Sequence, residues 1–318
     1  MKSYAIVGTG ALGGFYGAKL QAAGLDVHFL VNSDYHQIKS SGLTIQSKDG
    51  DFELPVVQAY HHSSQMPACE VVVICLKTTN NHLLDAILSD LVKPDSIVLV
   101  LQNGLGNEAE IARILSTQAN LINSQPIILG GLCFICCNKI GPGSIHHLDY
   151  GQIKLGGYTD DHQDINITGI MASIATDFRS AGIPISLCDN LLLARWQKLI
   201  WNIPYNGLSV VLNATTDQLM ANPNTKALVM RLMKEVQLAA MADDCQIVDE
   251  FIQQMLDYTA LMKPYRTSMK IDYDEGRPLE IQAMFENPLK VGQKLGLDLP
   301  SIEMLYQQLQ FLDYRIRV

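Results

Sequence analysis

The sequence predicts an α/β chain in two parts: an N-terminal domain built on a parallel sheet, residues 1–185, and an all-helical C-terminal domain, residues 186–318. Three observations predict it. A glycine-rich turn, G-T-G-A-L-G, separates the first apolar run from the first helical pattern. Apolar runs of strand length then alternate with segments of helical spacing as far as residue 181, the order expected of a parallel sheet covered by helices. From Asn190 onward the strand signals cease and only helical spacing remains. The length of 318 residues also suits two domains, because single cores rarely grow beyond about 250–300 residues.

Residues 4–7, Y-A-I-V, are wholly apolar, as a strand buried on both faces would be. The glycine turn occupies residues 8–13, a helical pattern runs on through Leu20 to Gly24, and residues 27–31 read as the second strand. Strand, glycine turn, helix and strand in this order are the context of a Rossmann-like dinucleotide-binding domain. Gly8 allows the tight bend, Gly10 lets the backbone approach a pyrophosphate, and Gly13 lets the helix lie close to the strand. Thr9, Ala11 and Leu12 complete the loop. The first helical amides offer unpaired N–H groups and partial positive charge to phosphates. At the end of the second strand an acid selects NAD and an arginine accepts the extra phosphate of NADP. Here the sequence is L-V-N-S-D: Asn32 and Ser33 suit either form, and Asp34 favours NAD if it points inward.

Residues 70–76 and 96–101 are further buried strands, with helical spacing over 82–91 and 108–115. Ligands of an open α/β sheet sit beyond the carboxyl ends of its strands, and Lys77 and Asn103 stand at two such ends. Residues 127–137 and 144–156 read as two strands joined by an I-G-P-G turn, and 167–181 as a helix. Cys133, Cys136, Cys137, His146 and His147 lie in these strands. Without a second Cys-x-x-Cys they read as buried strand residues, not as a metal site.

The helical half predicts helices over 191–212, 225–243, 248–262, 278–296 and 301–315. The first carries Lys198, Asn202 and Asn206 at steps of four, which places an amine and two carboxamides along one face. Leu193, Trp196, Leu199, Ile200 and Trp201 cover much of the remainder. Asparagines are poor helix formers, and in an apolar helix they imply that their amides are used. Pro204 predicts a kink or break in this helix. Residues 266–280, which include Ser268, Asp272 and Glu280, read as a solvated loop.

Composition excludes several classes of function. A formal net charge of −9 gives no general attraction for nucleic acid or an anionic membrane. With 48% hydrophobic and 17% charged residues the chain supports a real core and is not disordered. The longest apolar run, P-I-I-L-G-G-L-C-F-I-C-C, is too short and too rich in glycine to span a bilayer. Seven cysteines without a paired framework, and an N-terminus that runs into a strand pattern at Ser3, point to reduced thiols in a cytoplasmic protein.

Several separate pieces match one family. G-T-G-A-L-G, L-K at Leu76-Lys77, Q-N-G at 102–104, W-x-K-L-x-x-N-x-x-x-N from Trp196, and S-M-x-x-D from Ser268 with the later Glu280 resemble ketopantoate reductase, also called 2-dehydropantoate 2-reductase. The resemblance runs from Met1 to about Gly296, and the Lys/Asn/Asn stripe with the later Ser and Glu is its most specific part. It implies a Rossmann-like domain, a helical domain and an active site in the cleft between them. It also implies NADPH-dependent reduction of 2-dehydropantoate, on the route to pantothenate and coenzyme A. By resemblance Lys198 is the catalytic lysine, Asn202 and Asn206 bind substrate, and Ser268 holds the substrate carboxylate. Asn103 and Lys77 lie close to the cofactor and the reacting centre, Glu280 beside the nicotinamide end and the substrate hydroxyl, and Cys136 at a backbone contact to the cofactor. Two positions depart from the family pattern. Asn32 stands where an arginine often clamps the NADP phosphate, which leaves NAD open as cofactor, and Thr216 stands where the family has a further asparagine.

The implied chemistry follows from charge. Hydride attack on a ketone builds negative charge on its oxygen, which a nearby ammonium stabilises and protonates. Apolar neighbours around Lys198 favour the release of its proton. Glu280 accepts from a substrate hydroxyl and holds the lysine. The expected partner is a small 2-keto acid, with no nucleic acid, membrane or metal, and the chain is expected as a monomer or homodimer. The alternatives are reduction of another short 2-keto or 3-keto acid on the same scaffold, and a non-catalytic dinucleotide sensor. Lys198 together with Glu280 argues against the sensor, since binding alone requires neither.

Overall fold

The computed structural model describes residues 2–121, 126–158 and 167–318. They form two compact units, Met1–Gln102 with Asn107–Leu191, and Asn103–Gly106 with Leu192–Val318.

The first unit contains β1 (Ser3–Val7), α1 (Ala11–Ala22), β2 (Asp26–Leu30), α2 (Tyr35–Ser41), β3 (Leu43–Ser47), β4 (Phe52–Leu54), β5 (Gln58–Tyr60), β6 (Val71–Ile74), α3 (Leu84–Leu91), β7 (Ile97–Val100), α4 (Asn107–Ser116), β8 (Ile127–Gly141), β9 (Ser144–Tyr158), α5 (Ile167–Ser180) and β10 (Ile185–Cys188). Strands β5-β2-β1-β6-β7-β8 lie side by side, all parallel, in the order of a dinucleotide-binding sheet whose direction of growth reverses between β1 and β6. Tyr4, Ile6, Phe15, Phe29 and Phe178 fill one face of this sheet, and Ala5, Val7, Val72, Ile74, Leu84 and Leu88 the other. A strand covered on both sides must be apolar at every position, which is why these runs do not alternate. The long antiparallel hairpin β8–β9 carries the sheet onward to β3 and β4. Strands β3, β4, β5 and β10 were not anticipated. The first three span three to five residues each and include exposed or half-buried positions, and β10 exposes Ser186 and Leu187.

His147 on β9 is buried against the ring of Phe15, with centroids 4.4 Å apart. Its Nε2–H donates to the Tyr150 carbonyl at 2.9 Å, so Nδ1 accepts from the Ser47 hydroxyl at 2.9 Å. Burial pushes its pKa below the ordinary histidine value, against the opposing pull of the Tyr150 carbonyl and Asp49. The unfolded chain therefore takes up this proton first as the pH falls, and stability that is full above the ordinary histidine range declines below it. The melting temperature is expected to fall between pH 7.5 and pH 5.5 by less in His147→Gln than in the wild type. Equal slopes for the two proteins would refute a contribution from this residue.

The second unit is helical. Its elements are α6 (Leu191–Val211, whose first residue belongs to the first unit), α7 (Thr216–Ala221), α8 (Pro223–Ala242), α9 (Asp249–Leu261), α10 (Ser268–Asp274), a π-helical turn (Gln282–Glu286), α11 (Asn287–Lys294) and α12 (Pro300–Arg317). Trp196, Leu199, Ile200 and Ile203 of α6 pack with Val229, Met233, Phe285 and Leu305 in its core.

Three expectations need correction here. Helix α6 runs unbroken through Pro204. The proline removes one hydrogen bond and costs about 3 kcal/mol, but the flanking turns bury Trp196, Ile200, Ile203 and Tyr205 completely, and packing of this kind outweighs a local propensity. Residues 266–280 are not a loop throughout, because Thr267 caps α10 by accepting from Lys270 N at 3.2 Å. The expected helix over 278–296 starts later and contains the π-helical turn, with Glu280 just before it. Helix α7 was also unforeseen, although its capping box of Thr215 and Gln218 was visible in the sequence. Among the described residues no helix is long and apolar enough to cross a membrane.

Candidate functional site

The first unit supplies a loop shaped for a pyrophosphate. Gly8 has φ +99°, a conformation that L side chains rarely adopt, and a Cβ there would lie 2.8 Å from the Leu76 amide nitrogen. The glycine loop thus rests directly on the segment that leads into Lys77. A Cβ on Gly13 would lie 2.2 Å from the Gly8 carbonyl, so helix α1 approaches β1 only because that atom is missing. Gly10 is exposed and has nothing within 4 Å of its Cβ position. The first helical bond of α1 is Gly14 N to Gly10 O, 2.9 Å, so the amides of Ala11, Leu12 and Gly13 precede the helix ladder and face forward. Thr9 donates to the Leu30 carbonyl at 3.0 Å and ties the loop to the end of β2. These features fit a dinucleotide.

At the end of β2, Asn32 and Ser33 are exposed, whereas Asp34 is buried and engaged by Lys139 on β8. Lys77 is half-buried and opens a 3-10 turn after β6. Cys136 is buried on β8 opposite Asp149, and the thiol that reaches the loop is its neighbour Cys137, 3.5 Å from the Ala11 carbonyl. Burial pushes the Cys137 thiol up to about 12, so it stays protonated at neutral pH.

The second unit brings together the polar residues of α6 and the 103–106 segment. Lys198 is half-buried and donates to Asn103 Oδ1 at 2.8 Å. The position of Asn103 is dictated by its neighbours. Gly104 has φ +100°, and a Cβ on it would lie 2.5 Å from the Ala283 carbonyl within the π-helical turn. Leu105 N donates to that carbonyl at 2.9 Å, and Asn287 Nδ2 donates to the Leu105 carbonyl at 2.7 Å. The wider π-helical turn therefore presents a carbonyl to a backbone that only glycine can bring so close, and the result is an acceptor held against the lysine.

Asn202 and Asn206 are buried on the same stripe of α6 as Lys198. Asn206 Nδ2 donates to the Met284 sulfur at 3.6 Å, while its Oδ1 is buried with no partner among the described residues. A buried amide oxygen left unpaired destabilises the protein by roughly 1–3 kcal/mol, and such atoms call for a ligand or water. Ser209 donates to the Asn206 carbonyl at 3.1 Å and bonds Thr267 Oγ1 at 2.8 Å, which links the stripe to the residue just before Ser268. Ser268 itself is exposed, and Glu280 is buried. Thr216 is fully buried with an unpartnered Oγ1 among the described residues.

The sequence matches the family model "Ketopantoate reductase PanE/ApbA" over residues 4–160 and "Ketopantoate reductase PanE/ApbA C terminal" over residues 190–313. A curated 2-dehydropantoate 2-reductase from a Nostoc species is 60% identical over 316 residues, covering 99% of this chain and 97% of its own. The crystal structure of 2-dehydropantoate 2-reductase from Geobacter metallireducens superposes with a TM-score of 0.89 at 40% identity, covering 97% of this chain and 99% of its own. D-mandelate dehydrogenase, solved with NADH and anilino(oxo)acetate, has a TM-score of 0.85 at 21% identity over 99% of each chain, a likeness that shows the fold alone. Both halves of the sequence, with the glycine loop of the first unit and the Lys/Asn stripe of the second, thus lead to one conclusion: the chain belongs to the ketopantoate reductase family.

Proposed function

We infer that the chain reduces the ketone of 2-dehydropantoate to the alcohol of pantoate, with NADPH as reductant. The observation that carries this reading is the hydrogen bond from Lys198 to Asn103, on a helix face that also holds the side-chain amide oxygen Oδ1 of Asn206, which has no partner among the described residues. Membership of a family whose 60% identical relative bears that activity's name supports it.

When bound, the nicotinamide supplies the hydride. The residues of this chain bind, orient and polarise. The Lys198 ammonium donates to the ketone oxygen, stabilises the charge that grows there and delivers the proton. Asn103 holds Nζ in line, because the backbone that follows it, Gly104 and Leu105, is fastened to the Ala283 carbonyl of the π-helical turn. Asn202 and Asn206 meet the substrate's polar groups without adding charge, Ser268 donates to its carboxylate, and Glu280 accepts from its hydroxyl. The amides at residues 10–13 would hold the pyrophosphate, with Gly8 and Thr9 shaping the loop. Asn32, Lys77 and the backbone at Cys136 would border the rest of the dinucleotide.

Reduction of a different short 2-keto acid is the second reading. It draws on Thr216, whose buried hydroxyl is shorter than the asparagine of the family pattern. A panel of 2-keto acids, each assayed with NADPH and NADH, separates the two. The expected result is the highest kcat/KM with 2-dehydropantoate and NADPH. A competing acid preferred by about tenfold or more would replace the reading.

A further inference from the structure

Asp34 lies just past the end of β2, immediately before α2, close to where a dinucleotide-binding sheet of this order puts the acid that holds the ribose hydroxyls of NAD. Its carboxylate is not turned to such a task. Oδ1 accepts from Lys139 Nζ at 2.9 Å and from Ser33 Oγ at 2.8 Å. Oδ2 accepts from the same Nζ at 2.9 Å and from Gly143 N at 3.2 Å. Both oxygens are thus saturated by donors of the protein itself. The Asp34 side chain is 7% exposed and that of Lys139 38%. Burial alone would raise the pKa of Asp34, but the bonds from Lys139, Ser33 and Gly143 outweigh it and keep the carboxyl below its ordinary value, ionised and paired.

The pair is built into the sheet. Lys139 projects from the end of β8, and Gly143 lies in the turn to β9. Gly143 has φ +67°, and a Cβ there would be 3.0 Å from the Gly42 carbonyl and 3.2 Å from the Ile38 side chain. Thr44 N donates to the Gly143 carbonyl at 2.9 Å, which fastens the hairpin tip to β3. The tip is therefore pressed against α2 and brings two of the three donors, the Lys139 ammonium and the Gly143 amide, to Asp34. What remains exposed at the end of β2 is Asn32 and Ser33, both neutral.

We propose that the Lys139–Asp34 pair sets the choice between the two nicotinamide dinucleotides: Lys139 withdraws and neutralises an acid that would otherwise hold the ribose diol of NADH and repel the 2′-phosphate of NADPH. In place of an arginine that attracts the phosphate, this chain uses a lysine that silences the opposing carboxylate. Specificity then comes from removing a repulsion. The proposal rests on the reading of residues 8–13 as the dinucleotide loop.

The test is calorimetric titration of NADPH and NADH into the wild type, Lys139→Met, and the double variant Lys139→Met/Asp34→Asn at pH 8, with thermal melting to check each fold. Lys139→Met leaves the carboxylate charged and short of its main donor. The ratio of NADPH to NADH affinity is expected to fall about tenfold or more, mostly through weaker NADPH binding. The double variant removes the carboxylate as well, and its ratio is expected to return to within about threefold of the wild type. A double variant that stays as weak for NADPH as Lys139→Met would mean that Lys139 touches the phosphate itself, and would overturn the proposal. An unchanged ratio in folded Lys139→Met would overturn it too. Should Lys139→Met fail to fold, Lys139→Gln, which keeps a donor to Asp34 but removes the charge, takes its place with the same expected fall in the ratio, and an unchanged ratio there would overturn the proposal. A wild type that binds neither dinucleotide would sink the loop reading, and the role of the pair with it.

Discussion

Lys198→Ala is expected to lower turnover by a factor on the order of a hundred or more while the protein stays folded. The two parts of this expectation have different physical origins. The fold of α6 depends on Trp196, Leu199, Ile200 and Ile203, which are buried and untouched by the substitution. Lys198 is only half-buried, and its ammonium meets a carboxamide and not a carboxylate at Asn103, so its removal strands no buried countercharge at that contact. Asn103 keeps its place through Gly104, Leu105 and Asn287 whether or not the lysine is present. The melting temperature should therefore change by a few degrees at most. Turnover, in contrast, loses both the proton donor and the charge that stabilises the alkoxide. Dinucleotide binding should persist, because the glycine loop belongs to the first unit. Asn202→Ala should act mainly on KM, since a neutral amide holds the substrate before as well as during reaction. The decisive pair of measurements is the melting curve and the turnover number of Lys198→Ala. An unfolded variant would make the lysine structural, and a folded variant with near-normal turnover would remove the mechanism.

Gly10→Val should abolish dinucleotide binding, with affinity lowered by about a hundredfold or more, in a protein that melts like the wild type. The space in front of Gly10 is open, with nothing within 4 Å of a Cβ there, and its φ of −85° lies on the side of the map that L residues adopt. The side chain then fills the volume a pyrophosphate needs. Gly13→Val is the contrasting control. Its Cβ would meet the Gly8 carbonyl at 2.2 Å, so that variant should lose stability as well as binding. Titration of NADPH followed by intrinsic fluorescence, with circular dichroism melts alongside, separates the two cases. Tight binding by folded Gly10→Val would show that the glycine serves the chain and not a ligand.

Legibility in the sequence followed burial. Strands β1, β6 and β7 are covered on both faces and read as unbroken apolar runs, and the loop after β1 announces itself because glycine alone satisfies its close approaches. Strands β4, β5 and β10, of three or four residues with exposed side chains, offer too short a pattern to separate from loop. The stripe Lys198, Asn202 and Asn206 was legible because helical periodicity is local. Its pairing with Asn103 was not, because 95 residues separate the partners and no periodicity spans them. Asp34 showed the same limit: its type and place were readable, but its partner Lys139 lies 105 residues away, and that partner decides what the acid does. A break at Pro204 did not follow, since a single missing hydrogen bond is a small deficit beside the buried surface of a 21-residue helix.

The four residues Asn103–Gly106 belong to the helical unit, yet both of their ends are continuous with the sheet-bearing unit, in the chain leaving β7 and entering α4. No single cut of the polypeptide can then separate the units as whole modules. A break after Leu191 leaves the Ala283 carbonyl without Leu105 and Lys198 without Asn103. During synthesis the acceptor leaves the ribosome long before the lysine it serves, so the helical unit completes itself only by waiting for its own later sequence. In recombination between relatives, an exchange at this boundary would pair one parent's asparagine loop with the other's π-helical turn, at a junction that tolerates no Cβ. Inheritance of these contacts is thereby tied together from residue 103 to residue 287, and the short loop must be inherited with the helices it joins and not with the strands that surround it.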